Sequence, residues 1–277
     1  MTRSLAGKTL FITGASRGVG KAIALRAAQD GANVVVAAKT SEPDRRLPGT
    51  IHDAAREIED AGGRALAVVM DVRDDARVAA AVDKAVETFG GIDILVNNAG
   101  AIAHTKTPDT PMKRYDLLMD INMRGSFLCS QACIPHLERA ANPHILMICP
   151  PLQLRPKWFA AHLAYTTSKY GVSLIAMGLA EELRDKGVAV TALWPRTVIA
   201  TAALQRIDPS LGIRGRKPSV MADAAHYILT SKAGEMTGRF VLDEEVLQES
   251  GVHEFSQYLA TPGTEPSMDY FVEGWMP

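Results

Sequence analysis

The chain has 277 residues, 30 basic and 31 acidic, and 47% of it is hydrophobic. Near-balanced charge excludes the electrostatic bias that a nucleic-acid partner requires, and the apolar residues fall in runs well short of the roughly 20 that a membrane span needs. Seven histidines without His-x-x-x-His spacing support no metal site, and three cysteines (Cys129, Cys133, Cys149) without a Cys-x-x-Cys are expected to be reduced.

The first residues, Met1 to Lys8, lead straight into a strand-like run and carry no hydrophobic signal region with a cleavage site, so a soluble, cytoplasmic protein is expected. Apolar, β-branched runs then recur at Thr9–Thr13, Asn33–Ala38, Ala65–Met70, Ile92–Asn97, His144–Cys149, Val188–Trp194 and Arg239–Leu242, separated by helix-length segments. Such alternation predicts an α/β fold: a doubly wound parallel sheet of about seven strands, Rossmann-type, with right-handed crossovers and helices on both faces. The run Val34 to Ala38 is apolar throughout because helices would cover both of its faces. No repeat or Gly/Ser linker divides the chain, so residues 1–277 form a single expected domain with a core of about 5–245. Thr197 to Pro218 mixes Leu204, Ile207, Leu211 and Ile213 with Gly, Pro and Arg, which suits either a lid over a site or an ordinary surface helix and loop. A C-terminal extension, about 246–277, ends in the aromatic run Tyr270 to Trp275, which would dock on the chain's own site or on a neighbouring subunit.

Chemistry enters at Thr13 to Gly20, a glycine-rich turn after the first strand and before a helix. In that context Gly14 permits the tight turn, Gly18 lets backbone N–H groups approach a pyrophosphate, and Gly20 lets helix and strand pack closely, although a glycine triplet can also be a structural turn alone. The second strand ends Val36 to Thr40 without a carboxylate to meet a ribose hydroxyl. Lys39 and Arg17 could instead neutralise a 2′-phosphate, which favours NADP(H) over NAD(H), while Arg17 could also be a phosphate-side or surface residue under either cofactor. Asp71 and Val72, after the third strand, offer a clamp for an adenine ring or a plain loop and helix cap.

Tyr165 and Lys169 are four residues apart, on one face of a helix. A neighbouring ammonium favours phenolate over phenol, moving a group of ordinary pKa about 10 toward working pH, where it can exchange a proton. The same spacing occurs by chance on surface helices, so its weight comes from what surrounds it. Thr13-Gly-x-x-x-Gly-x-Gly20, Asp71-Val72, Asn97-Asn-Ala-Gly100, Asn122 and Tyr165-x-x-x-Lys169, in this order, resemble the classical short-chain dehydrogenases/reductases, over about residues 5–245. Within that family the runs Ile148 to Leu152, Trp158-Phe159 and Leu193 to Pro195 resemble the hydroxysteroid dehydrogenase-like protein 2 subgroup.

The resemblance implies catalytic roles for Tyr165 as general acid or base, Lys169 as the group that binds the nicotinamide ribose and lowers the tyrosine pKa, and Asn122 as holder of a helix kink and a water. It implies cofactor contacts from Gly14, Ser16, Arg17, Gly18, Val19, Gly20, Lys39, Asp71, Val72, Asn98, Ala99, Gly100, Tyr165, Lys169, Pro195, Thr197 and Val198, with Thr201 beside them. Asn97 would serve the central sheet. The family's substrate-binding serine is missing: thirteen residues before Tyr165 stands Leu152, and alignment by strand end puts Cys149 and Pro150 there. Cys149 is a weak donor or a small buried hydrophobe, and Gln153 could reach in with an amide. The usual Pro-Gly after the sixth strand is Pro195-Arg196, where Arg196 meets an acidic substrate group or solvent. Cys129 and Cys133 read as packing residues, not a redox pair. Family members assemble through two long helices, here about Asp116 to Leu137 and Tyr165 to Lys186, so a homo-oligomer, tetramer or dimer, is expected. The function expected is NADP(H)-dependent interconversion of an alcohol and a carbonyl on a largely apolar small molecule; the alternative is a nucleotide-binding protein with little catalysis.

Overall fold

The computed structural model describes residues 3–43 and 48–273. In chain order its elements are β1 (Thr9–Thr13), α1 (Gly18–Ala28), β2 (Asn33–Ala38), α2 (Ile51–Asp60), β3 (Arg64–Val69), α3 (Asp75–Phe89), β4 (Ile94–Asn97), α4 (Met112–Leu118), α5 (Gly125–Leu137), β5 (His144–Ile148), α6 (Pro156–Ala161) and α7 (Leu163–Glu182). There follow β6 (Ala189–Trp194), α8 (Ala202–Ile207), α9 (Pro209–Ile213), α10 (Ser219–Thr230), α11 (Ala233–Met236), β7 (Phe240–Leu242) and α12 (Asp243–Glu249). The seven strands form one sheet in the order β3-β2-β1-β4-β5-β6-β7, and every pairing is parallel. All seven expected strands are present, β1 and β2 with the expected bounds and the other five with ends shifted by a residue or two. The fourth starts at Ile94; just ahead of it the Asp93 carboxylate accepts from the Thr9 backbone N–H at 2.9 Å and from Lys8 Nζ at 3.1 Å.

Side-chain alternation divides the interior in two. Leu10, Ile12, Val34 and Val36 pack under α1, α2, α10 and α12, whereas Phe11, Val35 and Ala37 pack under α3, α5 and α7. Cys129, Cys133 and Cys149 are free and buried in the second of these layers. Burial pushes the thiols of Cys129 and Cys149 up to about 12. Asp74 caps α3 through the Arg77 N–H, and Gly90 ends that helix at φ 85°, a left-handed turn that favours glycine.

Strand order reverses between β1 and β4, so the crevice beyond the carboxyl ends of those strands is the place where this architecture receives a ligand. Residues 197–218 hold α8 and α9 and return beside that crevice. The tail beyond α12 also comes back to it: Thr197 bridges Met268 antiparallel, and Val198 N–H donates to the Ser267 carbonyl at 2.9 Å. Trp275 lies outside the described residues. Among the described residues no helix is long and apolar enough to cross a membrane.

Candidate active site

The glycine turn is built by contact with the segment after β4. Gly14 has φ +69°, and a Cβ there would lie 3.0 Å from both Ala99 Cα and Asn98 Nδ2. At Gly20 a Cβ would fall 2.4 Å from Asn98 Nδ2 and 2.9 Å from the Gly14 carbonyl oxygen, so no side chain fits. The Asn98 amide uses that space to donate to the Thr13 carbonyl at 2.8 Å and to that of Gly14 at 3.3 Å. Thr13 Oγ1 accepts from the N–H groups of Asn98 and Ala99, both at 3.0 Å. The Asn97 amide nitrogen donates to Ser130 Oγ of α5 at 3.0 Å.

Around this turn stand the other cofactor candidates. Ser16 is buried and Gly18 and Val19 open α1. Arg17 precedes α1 in an extended conformation and donates to the Gly49 carbonyl at 2.7 Å, leaving its buried Nε without a hydrogen-bond partner among the described residues. Lys39 is exposed at the end of β2, and its charge helps hold the Asp71 carboxyl below its ordinary range, after the larger effect of the Arg73 hydrogen bonds. The Arg73 guanidinium grips Asp71 at 3.0 and 2.6 Å, an engagement that sequence spacing did not reveal. Val72 is buried and packs where Gly125 leaves room. Pro195, Thr197 and Val198 are buried beyond β6, with the Thr197 hydroxyl also lacking a partner among the described residues.

Tyr165 and Lys169 lie in the first two turns of α7, both nearly buried, at 4% and 7% exposure. Lys169 Nζ donates to the Ile148 carbonyl at 2.9 Å and sits 5.3 Å from the Trp194 ring centroid. Burial lowers this ammonium to about 8, opposed by the nearby Cys149 and Asp269. Tyr165 departs from the expected lowered pKa: burial pushes its hydroxyl up, and Asp269 and Tyr270 add to the rise. Lys169 is turned to the strand-end carbonyl and does not govern the phenol in this state.

Asn122 interrupts the helical run in a π-helical turn, Met119–Arg124, between α4 and α5. Its oxygen accepts from the Ala101 N–H at 2.7 Å, while its nitrogen donates to the Ala101 carbonyl at 3.0 Å and to Ser168 Oγ at 2.8 Å. Ser168 Oγ donates in turn to the Tyr165 carbonyl at 2.7 Å, linking the turn to α7. Gly100 lies between these groups: a Cβ on it would be 3.4 Å from Asn122 Oδ1 and 3.7 Å from Lys169 Nζ.

At the serine position the thiol of Cys149 is enclosed in the second core layer, and Pro150 offers no donor. Gln153 is half-buried with its amide oxygen enclosed and lacking a partner among the described residues; its backbone carbonyl accepts from the Tyr170 hydroxyl at 2.8 Å. Arg196 faces away from the crevice toward α12, its guanidinium 3.1 Å from both Glu244 and Glu245, and its N–H donates to Asp243.

Sequence reasoning placed the aromatics of the tail against the chain's own site or a neighbouring subunit but missed the two histidines that Tyr270 meets. His104 and His162 stack with centroids 4.6 Å apart, and Tyr270 meets them edge-on at 5.0 and 5.4 Å. His104 reaches Tyr165 at 6.3 Å, and Phe271 stacks on Tyr165 at 6.3 Å. Burial, with the neighbouring His162, lowers His104 to about 4. The tail is pinned by Trp194 Nε1, which donates to the Tyr270 carbonyl at 2.9 Å. Phe271 is buried at φ 68°, the one non-glycine residue at positive φ among the described residues; aromatic packing holds a backbone that costs roughly 1–2 kcal/mol to adopt. Beside it Asp269 is raised to about 7 by burial. His162 stands three residues before Tyr165, a spacing visible in the sequence; His104 and Asp269 join only through the fold.

The family model described as short chain dehydrogenase matches residues 8–211. The chain is 55% identical over 274 residues to hydroxysteroid dehydrogenase-like protein 2 of Danio rerio, covering 99% of this chain and 66% of that protein. The chain spans between 52% and 66% of the length of the curated relatives it matches. A solved short chain dehydrogenase from Mycobacterium thermoresistibile superposes with TM-score 0.93 at 52% identity, covering 99% of this chain and 98% of the other. More distant structures include a short chain dehydrogenase from Mycobacterium paratuberculosis bound to NAD, with TM-score 0.74, 26% identity and coverage of 88% and 99%. A metagenomic short-chain oxidoreductase in complex with NADP gives TM-score 0.71 at 28% identity, covering 86% and 97%.

Proposed function

The chain belongs to the short-chain dehydrogenase family, and from that premise we propose that it is an NADP(H)-dependent oxidoreductase interconverting an alcohol and a carbonyl on a largely apolar small molecule. The observation that carries this reading is the convergence of Tyr165, Lys169, Ser168 and Asn122 at the crevice where Gly14, Gly20 and Asn98 shape a phosphate turn. Two buried polar atoms without partners among the described residues, Arg17 Nε and Thr197 Oγ1, fit the two ends of a dinucleotide. When bound, the nicotinamide supplies or accepts the hydride. Gly14, Ser16, Arg17, Gly18, Lys39 and Thr197 are the residues that would hold the cofactor. Lys39 and Arg17 support the NADP(H) preference, since no carboxylate ends β2 to repel a 2′-phosphate.

The chain's own residues manage the proton. Tyr165, pushed up by burial, keeps its proton until a substrate oxygen gains negative charge, then releases it to that oxygen; in the alcohol direction it takes the proton back. Lys169, lowered to about 8, can restore a proton to the site near neutral pH, and Asn122 holds the π-helical turn that borders it. The cluster His104, His162, Phe271 and Trp158 gives the crevice apolar and aromatic walls. Exposed Met123, Phe127, Leu174 and Met177 on the π-helical turn, α5 and α7 support assembly of a homo-oligomer through those helices.

A second reading, a nucleotide-binding protein with weak catalysis, is favoured by one observation: neither Cys149 nor Pro150 offers the crevice a hydroxyl. A carbonyl and alcohol panel assayed with both cofactors separates the two. Turnover with NADP(H) that is lost in Tyr165→Phe supports the oxidoreductase; binding of cofactor with no turnover across the panel overturns it.

A further inference from the structure

We propose that His162, with its proton on Nδ1, donates the hydrogen bond to the substrate oxygen that a serine after β5 would otherwise supply. The inference rests on the oxidoreductase reading above and names a catalytic residue for it.

The usual source of a donor is absent. Cys149 is enclosed among the residues under α5 and α7, Pro150 has no donor, and the nearby Ser173 hydroxyl is spent on the carbonyls of Pro150 at 2.7 Å and Lys169 at 3.2 Å. His162 stands immediately before α7, three residues from Tyr165, in a non-helical conformation of φ −148° and ψ 64°. Its Nδ1 is enclosed and has no hydrogen-bond partner among the described residues. Leaving a polar ring atom in that state is unfavourable, and a bound substrate oxygen would relieve it.

The ring is held, not free to swing. His104 stacks on it at 4.6 Å and also packs against Tyr165, and Tyr270 closes the pair edge-on with its hydroxyl 3.4 Å from His104 Nδ1. Tyr270 is in turn fixed by Trp194 and by the packing that keeps Phe271 at positive φ. Burial lowers both imidazoles, so each is neutral at neutral pH and presents one N–H and one lone pair. A neutral N–H that meets an oxygen as that oxygen gains charge stabilises it more as the reaction proceeds. No bond to His162 forms or breaks: the oxygen receives its proton from Tyr165.

The test uses the full chain and two variants. His162→Phe keeps the flat ring against His104 and removes the N–H; His162→Gln restores an amide donor. With NADPH and the activated aryl diketone 1-phenyl-1,2-propanedione, His162→Phe is expected to lower kcat by about 10²-fold, as loss of one oxyanion donor does, with NADPH affinity within about twofold of wild type and at least a tenfold recovery in His162→Gln. Turnover of His162→Phe within threefold of wild type, or no recovery in His162→Gln, overturns the proposal. A second readout needs no turnover: in protein carrying ¹⁵N-labelled histidine and saturated with NADP⁺, trifluoroethanol should move the His162 Nδ1 resonance. An unmoved resonance overturns the assignment. Running the same titration in Tyr165→Phe keeps the two ideas separable, since a retained His162 shift with retained turnover would sink the role of Tyr165 while leaving His162 in place.

Discussion

Gly20→Ala adds a single methyl group at the point where α1 meets the segment after β4. Its Cβ would lie 2.9 Å from the Gly14 carbonyl oxygen, which is backbone, and 2.4 Å from Asn98 Nδ2, a side-chain end held by two hydrogen bonds. The Asn98 amide must therefore leave the Thr13 and Gly14 carbonyls that it now meets at 2.8 and 3.3 Å. Two hydrogen bonds at about 0.5–1.5 kcal/mol each and over-packing at about 1–3 kcal/mol oppose a helix-propensity gain of up to about 1 kcal/mol, giving a net loss of about 1–6 kcal/mol. For a central value of about 3 kcal/mol the melting midpoint should fall by roughly 6–12 °C in a chain of this size. Thermal unfolding followed by circular dichroism gives the first readout and NADPH titration by fluorescence the second, with affinity expected to drop at least tenfold. A variant that melts at or above wild type with unchanged NADPH affinity would refute the reasoning, because it would mean that Gly20 is not pressed against Asn98.

Asn122→Ala removes three hydrogen bonds from a buried π-helical turn, so denaturant titration should show a loss of about 2–4 kcal/mol together with reduced turnover. Lys39→Glu should raise the KM for NADPH at least tenfold and leave that for NADH nearly unchanged; equal effects on both would remove Lys39 from 2′-phosphate recognition. Native protein at pH 7.5 should resist alkylation by iodoacetamide at all three cysteines and react after unfolding, as mass spectrometry would show, since burial pushes Cys129 and Cys149 up to about 12 and raises Cys133 well above the ordinary thiol range. His144, buried and lowered to about 4, is neutral in the folded chain while the unfolded chain takes up a proton near 6.5. Its contribution, up to about 3 kcal/mol, is present above pH 6.5 and lost as pH falls toward 4, and denaturant titrations of His144→Gln should show a shallower decline over that window.

The strands were legible because both faces of a central parallel strand are covered: Val34 to Ala38 is apolar throughout and lies buried as β2. Gly14 and Gly20 were legible as a turn, since their spacing reflects the close approach to Asn98 and Ala99. Less could be read of what each side chain faces. Asp71 was a candidate for an adenine ring and is gripped by Arg73 two residues away, and Arg196, open to an acidic ligand by position, is paired with acids of α12 some distance along the chain. The lowered phenol expected from the Tyr165 and Lys169 spacing depends on where an ammonium points, and that is set by the Ile148 carbonyl at the end of β5. His104, His162 and Tyr270 gather only because α7 begins where the tail returns, and no local pattern encodes that meeting.

The central claim is that Tyr165 gives its proton to a substrate oxygen while the neighbouring groups hold a nicotinamide cofactor. Single-turnover oxidation of NADPH by the diketone probe, followed at 340 nm in wild type and in Tyr165→Phe alongside the NADPH dissociation constant of each, tests it most directly. The account predicts a rate reduced by at least about 10²-fold with cofactor affinity within about threefold of wild type. An unchanged rate in Tyr165→Phe, or a wild-type chain that does not bind NADPH, would contradict it.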